Sequence, residues 1–200
     1  MKKYLLHVFL LCCAFALVAC GSTNTESEND TVEKTEVSSG TPEVKEEVVK
    51  EEPATLTVNT GEVLTVEDYA EITVKENKFG QVINPPNPDS FYTYYENKEQ
   101  GEIFLDTVIS IKSLLTSQKS SDEFVSVKIV YDDKYEYTTF STIEEQGGTD
   151  FTYTNITSIE PLKTGTLHFL ASLPSEVESD GKPLKAIITI NGEDYEQIIR

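Results

Sequence analysis

Tryptophan is absent from these 200 residues, methionine occurs once, histidine twice and cysteine three times, and 16 basic residues stand against 35 acidic ones. Each shortage excludes something. A net charge of −19 excludes a nucleic-acid partner, because phosphate backbones demand a basic face. All three cysteines fall within the first twenty positions, so residues 21–200 hold none. That part of the chain folds without disulfides, and its stability must come from its core. A tetrahedral zinc site draws on Cys and His, and there are too few of either. Only His168 remains beyond residue 20, so a Ser-His-Asp triad would have to use it. It sits in an apolar strand pattern, where a structural residue, outward-facing or hydrogen-bonded, is expected. There is no Gly-x-Ser-x-Gly elbow, no glycine-rich phosphate loop, no solenoid repeat and no long 3.6-residue periodicity. These gaps lead us to expect no cofactor and no enzymatic activity.

What is present begins with an address. Met1-Lys2-Lys3 is a short basic start, Tyr4 to Val18 is apolar except for His7, and the run ends at Leu17-Val18-Ala19-Cys20-Gly21-Ser22. This is the pattern of a secretory signal peptide, too short for a comfortable bilayer span of about 20 residues. Leu17-Val18-Ala19-Cys20 resembles the lipobox of bacterial lipoproteins. The resemblance implies cleavage after residue 19, thioether lipidation of Cys20 and acylation of the new N-terminus, several acyl chains together giving a stable anchor. The expected address is therefore the extracytoplasmic face of the cell membrane, with the membrane itself as a partner.

Residues 20–53 read as a disordered acidic linker. From Gly21 to Pro53 there are ten acidic residues, three lysines and no aromatic, too little apolar surface to repay ordering. Thr41-Pro42-Glu43 resembles a helix start, but about ten residues are marginal alone. As a coil the segment reaches roughly 30 Å, and its charge holds the domain off anionic lipid.

Residues 54–200 form the candidate domain, with 25 acidic and 11 basic groups. Its period is two. Short candidates lie at 55–58 and 62–66. Ala70, Ile72 and Val74 alternate with polar neighbours, and Phe91 to Tyr95 is an aromatic run. Glu102 to Lys112 puts Ile103, Leu105, Thr107, Ile109 and Ile111 on one face, with Phe104 and Val108 on the other, as a central strand would. Val125 to Tyr131, the turn Asp132-Asp133-Lys134 and Tyr135 to Thr139 read as a hairpin. Leu167 to Leu173 alternates, and Ala186–Ile190 and Tyr195–Ile199 flank Asn191-Gly192, a strong hairpin signal. Residues 77–90, 113–122, 141–150 and 174–183 read as connections, with Leu114-Leu115 able to make one helical turn. Seven to nine strands with frequent turns predict an all-β, antiparallel sandwich, a small closed barrel being the alternative.

The stretches Gly101–Ile111, Pro161–Pro174 and Lys185–Ile190 resemble an immunoglobulin-like β-sandwich family also seen in secreted mycobacterial antigens. Together with the lipobox and acidic linker, the chain resembles surface lipoproteins of Gram-positive bacteria. The likeness covers residues 62–200 and implies an immunoglobulin-like sandwich with no catalytic residues to carry over. The antibody-type cysteine pair and buried tryptophan are missing.

The candidate site residues follow from side-chain chemistry. Tyr92, Tyr94 and Tyr95 form one aromatic cluster, and Tyr131, Tyr135 and Tyr137 another. Such clusters fill β-sheet cores or make interface surfaces, and these six are the candidate ligand-binding residues, for a protein or a cell-wall polymer. Asp132, Asp133 and Glu145 are the least poor calcium ligands, although no Asp-x-Asp-x-Asp-Gly loop is present. The pairs Asp122-Glu123, Asp132-Asp133, Glu144-Glu145 and Glu193-Asp194 leave open a hydrolase built on two carboxylates, the alternative to a non-enzymatic binding or accessory module.

Overall fold

A computed structural model describes residues 56–145 and 147–200. The expected signal peptide (1–19), Cys20 and the linker (20–53) fall outside the described residues. In chain order the strands are β1 (Leu56–Thr57), β2 (Val63–Val66), β3 (Ala70–Gly80), β4 (Val82–Ile83), β5 (Tyr95–Glu96), β6 (Glu102–Ser113), β7 (Lys119–Ser120) and β8 (Val125–Tyr131). They continue as β9 (Tyr135–Thr138), β10 (Phe140–Glu144), β11 (Phe151–Tyr153), β12 (Ser158–Ile159), β13 (Thr164–Pro174), β14 (Leu184–Ile190) and β15 (Glu193–Ile198). Among the described residues three single 3-10 turns complete the regular structure, and no helix there is long and apolar enough to cross a membrane.

Two open sheets make a β-sandwich, as expected. One has the order β1-β15-β14-β8-β9, the other β11-β10-β13-β6-β3-β2. Every pairing is antiparallel except β1 with β15. Both sheets have edges, so the barrel alternative is not the fold. The inner faces meet in one core: Ile72, Val74, Leu105, Ile109, Ile111, Leu167, Phe169, Ala171 and Leu173 from one sheet, and Val125, Val127, Ile129, Leu184, Ala186, Ile188 and Ile190 from the other. Each fully buried aliphatic side chain contributes about 1.5–3 kcal/mol. This apolar area stands in for the missing disulfides.

Local sequence explains the long strands. β6 is flanked by β3 and β13 and is apolar on both faces because both are covered. The two predicted hairpins form with left-handed backbone at both turn positions, Asp132 (φ 54°) and Asp133 (φ 52°) in one, Asn191 (φ 50°) and Gly192 (φ 87°) in the other, as the twist of paired strands requires.

Eleven strands lie in the two main sheets rather than seven to nine, and the surplus comes from stretches expected to be connections. β3 runs on to Gly80 through a bulge between Val74 and Glu76. Lys75 is the extra residue, and it shifts the inward set from Ala70, Ile72 and Val74 to Asn77 and Phe79, which breaks the simple alternation. β10 occupies residues largely expected to be a loop, because Thr142 and Glu144 are polar at positions that turn out covered, and β11 follows just past that expected connection. Conversely, of the aromatic run 91–95 only Tyr95 joins a strand. Leu114-Leu115 makes no helix, and Leu115 packs against the core instead.

Candidate functional site

The outer face of the β6/β13 sheet is not left to solvent. Residues 81–99 leave the sheet after β3, form the small β4–β5 pair and return across this face. Ile83 and Tyr95 from this flap pack on Phe104, Phe151 and Leu170, making a second, smaller core. The Tyr95 ring lies 5.1 Å from Phe140 and 5.9 Å from Phe151. Its hydroxyl donates to Thr142 Oγ1 at 3.3 Å, and Asn97 Nδ2 donates to Ser172 Oγ at 2.6 Å.

On this face lies a charged chain that no sequence pattern announced. Asp106 on β6 and His168 on β13 belong to the outward-facing set of otherwise apolar strands, yet their relative exposures are 0% and 2%. His168 Nδ1 stands 2.8 Å from Asp106 Oδ2, and Nε2 stands 3.0 Å from Glu144 Oε1. Lys78 Nζ approaches Asp106 Oδ2 to 3.6 Å from β3. Phe151 closes the chain, its ring 4.8 Å from the imidazole. Ionised carboxylates only accept hydrogen bonds, so the form of His168 that satisfies both neighbours is the imidazolium, donating from each nitrogen. Burial, the largest single influence, pulls the His168 pKa down. The hydrogen bonds and charges of Asp106, then Glu144, together outweigh it and raise the pKa above its ordinary value. One atom is left over: Asp106 Oδ1 is buried without a partner among the described residues.

The two carboxylates sit on opposite ring nitrogens, so their oxygens do not converge with a free imidazole nitrogen on one point. Among the described residues no group of three or more His, Cys, Asp or Glu is arranged to hold a metal. Glu144 marks where the chain meets the surface. Its side chain is 19% exposed and lines a groove of about 500 Å³ with Ile143, Ile159, Lys163 and Gly165. Gly165 allows this packing, since a Cβ there would lie 2.9 Å from Ile159 Cδ1 and 3.0 Å from Ile143 Cδ1.

Beside Glu144 the flap carries an exposed aromatic loop on a fixed backbone. Asn87 N donates to Gly148 O at 2.9 Å and its side chain donates to Gly147 O at 3.0 Å. Asp89 N reaches Thr149 O at 3.4 Å, and Thr93 N donates to Asp150 Oδ1 at 2.6 Å. The backbone donors of Thr93 and Phe151 hold the Asp150 carboxyl below its usual range. Between these tethers Phe91 is 93% exposed, and Tyr94, next to the last of them, is 53% exposed. Tyr92 packs edge-on to Tyr94 at 6.3 Å.

The structure thus divides each tyrosine cluster. Tyr92 and Tyr94 face solvent while Tyr95 turns in. In the second cluster Tyr131 is buried and bonded to Asp180, Tyr137 packs against the main core, and Tyr135 is exposed, stacked 6.0 Å from Tyr131 under Lys134. Of the calcium candidates, Asp132 and Asp133 lie in the β8–β9 turn near Lys182 (3.8 Å) and Lys185 (3.3 Å), whereas Glu145 follows β10 in the other sheet. Besides Asp132 and Asp133, four acids of the hydrolase alternative have separate local partners. Asp122 accepts from Ser120, Glu123 pairs with Lys119, Glu144 binds His168, and Asp194 accepts from Thr189.

A two-sheet sandwich with a flap across one outer face defines the class: an all-β sandwich protein. It is similar to an uncharacterised β-sandwich protein of Clostridium difficile 630, with 30% sequence identity and a TM-score of 0.69 over 76% of this chain and 98% of that one. The chain belongs to the family of that protein. A conserved hypothetical protein of Bacillus anthracis also matches, at 12% identity and a TM-score of 0.49, over 72% of this chain and 95% of that one. No protein-family model and no curated protein matches the chain.

Proposed function

We propose that the protein is a lipid-anchored extracytoplasmic module that binds a partner through the aromatic loop 84–94 and performs no catalysis. The observation that carries this reading is the pairing of exposed rings with a fixed backbone: Phe91, Tyr92 and Tyr94 face solvent while four hydrogen bonds tie their loop to residues 147–150. A preformed loop has little left to order on binding, and aromatic side chains supply the largest contact area per residue. The lipobox supports the address, and the acid excess disfavours anionic polymers and favours a neutral or cationic partner, a protein or wall glycan.

The test uses the full chain expressed in a Gram-positive host. Labelled palmitate is expected to enter the wild type and not Cys20→Ala, which is expected in the medium. Purified cell walls and detergent-solubilised envelope proteins then serve as probes. The double variant Phe91→Ala/Tyr94→Ala is expected to bind at least about tenfold more weakly at unchanged thermal midpoint. A wild type that binds neither probe, or a double variant that binds as well as wild type, overturns the reading.

A further inference from the structure

We propose that Glu144, His168 and Asp106 form a proton-operated latch that sets how firmly the aromatic loop 84–94 is held. Its biological purpose rests on the binding reading above; its operation does not.

Gly148 is the joint between the two. A Cβ added there would meet Pro86 Cγ at 2.6 Å and Glu144 Oε2 at 3.2 Å. One carboxylate oxygen of Glu144 therefore lies under the Gly147–Asp150 turn, while the other, Oε1, is held by His168 Nε2 at 3.0 Å. Pro86 borders the same Cβ position of Gly148, and the turn accepts the Asn87 and Asp89 hydrogen bonds of the loop. Moving Glu144 removes a support from beneath the turn that holds the loop.

Proton count decides whether Glu144 stays. The charged or titratable groups around His168 are Asp106 on β6, Glu144 on β10, and Lys78 with its neighbour Glu76 on β3, the two 3.1 Å apart. Phe151 on β11 adds only an apolar ring. With the imidazolium, Lys78 and His168 offset Asp106 and Glu144, and the surplus charge of Glu76 sits on a side chain 55% exposed to water. When one proton leaves to water, only one ring nitrogen can still donate. Asp106 is fully buried and already has one orphaned oxygen, so losing its second partner costs more there than at Glu144. The proton stays on Nδ1, and Nε2 turns an unshared pair toward Glu144 Oε1. Glu144 lines an open groove and can move its charge into water. The raised pKa of His168 puts this change above the ordinary histidine range.

Hydrogen exchange of the full chain, corrected for intrinsic pH dependence and followed from about pH 6 to pH 9.5, tests the latch without any ligand. In the wild type, peptides covering 84–94 and 147–150 are expected to lose about tenfold or more in protection across one proton's titration. Peptides from β14 and β15 serve as the unchanged reference. Glu144→Ala is expected to be open at every pH. Glu144→Gln is expected to stay protected at every pH, because an amide can accept from the imidazolium and donate to the neutral ring. These opposite outcomes separate a latch from a merely structural contact, and both substitutions fall on a side chain that reaches solvent. A wild-type loop that tracks the reference peptides at all pH values overturns the latch, as does a Glu144→Gln or Glu144→Ala protein that keeps the wild-type profile. Failure here leaves the binding reading standing, whereas failure of wall and envelope binding leaves the exchange result intact.

Discussion

At the scale of single residues, His168 carries the clearest consequence. Its pKa is raised on folding, so it contributes stability fully present below its unfolded value of about 6.5, lost as pH rises through the higher folded value. The urea midpoint is therefore expected to fall over that alkaline window, and His168→Gln is expected to remove this part of the slope. Asp106→Ala leaves the buried His168 Nδ1–H without its acceptor and takes from Lys78 its buried counter-charge, and is expected to cost about 3–5 kcal/mol in urea unfolding. Phe91→Ser offers the contrast. The ring is nearly naked, so its loss is expected to change stability by no more than about 0.5 kcal/mol while weakening partner binding.

At the scale of elements, the two glycines beside Glu144 differ in what they tolerate. Gly165→Ala presses on the ends of Ile143 and Ile159, which can yield, and is expected to cost about 1–3 kcal/mol in urea unfolding. Gly148→Ala meets the Pro86 ring and a left-handed backbone of φ 68° together; limited proteolysis is expected to cleave its 84–94 loop faster than that of the wild type. Neither constraint is visible in sequence. The central strand β6 was legible because both of its faces are apolar, and the two hairpins because Asp132-Asp133 and Asn191-Gly192 name their turns. The flap, β10 and the latch were not. A bulge at Lys75 interrupts alternation, Thr142 and Glu144 are polar yet covered, and Asp106 and His168 meet across 62 positions. The histidine was legible only as a lone candidate; its carboxylate partners needed the strand register to be found.

At the scale of the whole molecule, charge and topology set the behaviour. The excess of acidic over basic groups in residues 54–200 is self-repulsion that salt screens, so the melting temperature is expected to rise by a few degrees between about 20 mM and 300 mM sodium chloride. The topology has a mechanical side as well. Whatever precedes Leu56 enters the sandwich through β1, which pairs over only two residues with β15, the last strand, and is followed by one more bond from Val58 N to Glu196 O at 3.0 Å. A pull on the N-terminal side loads these few parallel bonds in shear, and they are far fewer than the bonds of the β3–β6–β13 ladder behind them. The sandwich thus has a breakaway strip at the point where the chain enters it, one that gives slack under drag before the fold itself is at risk.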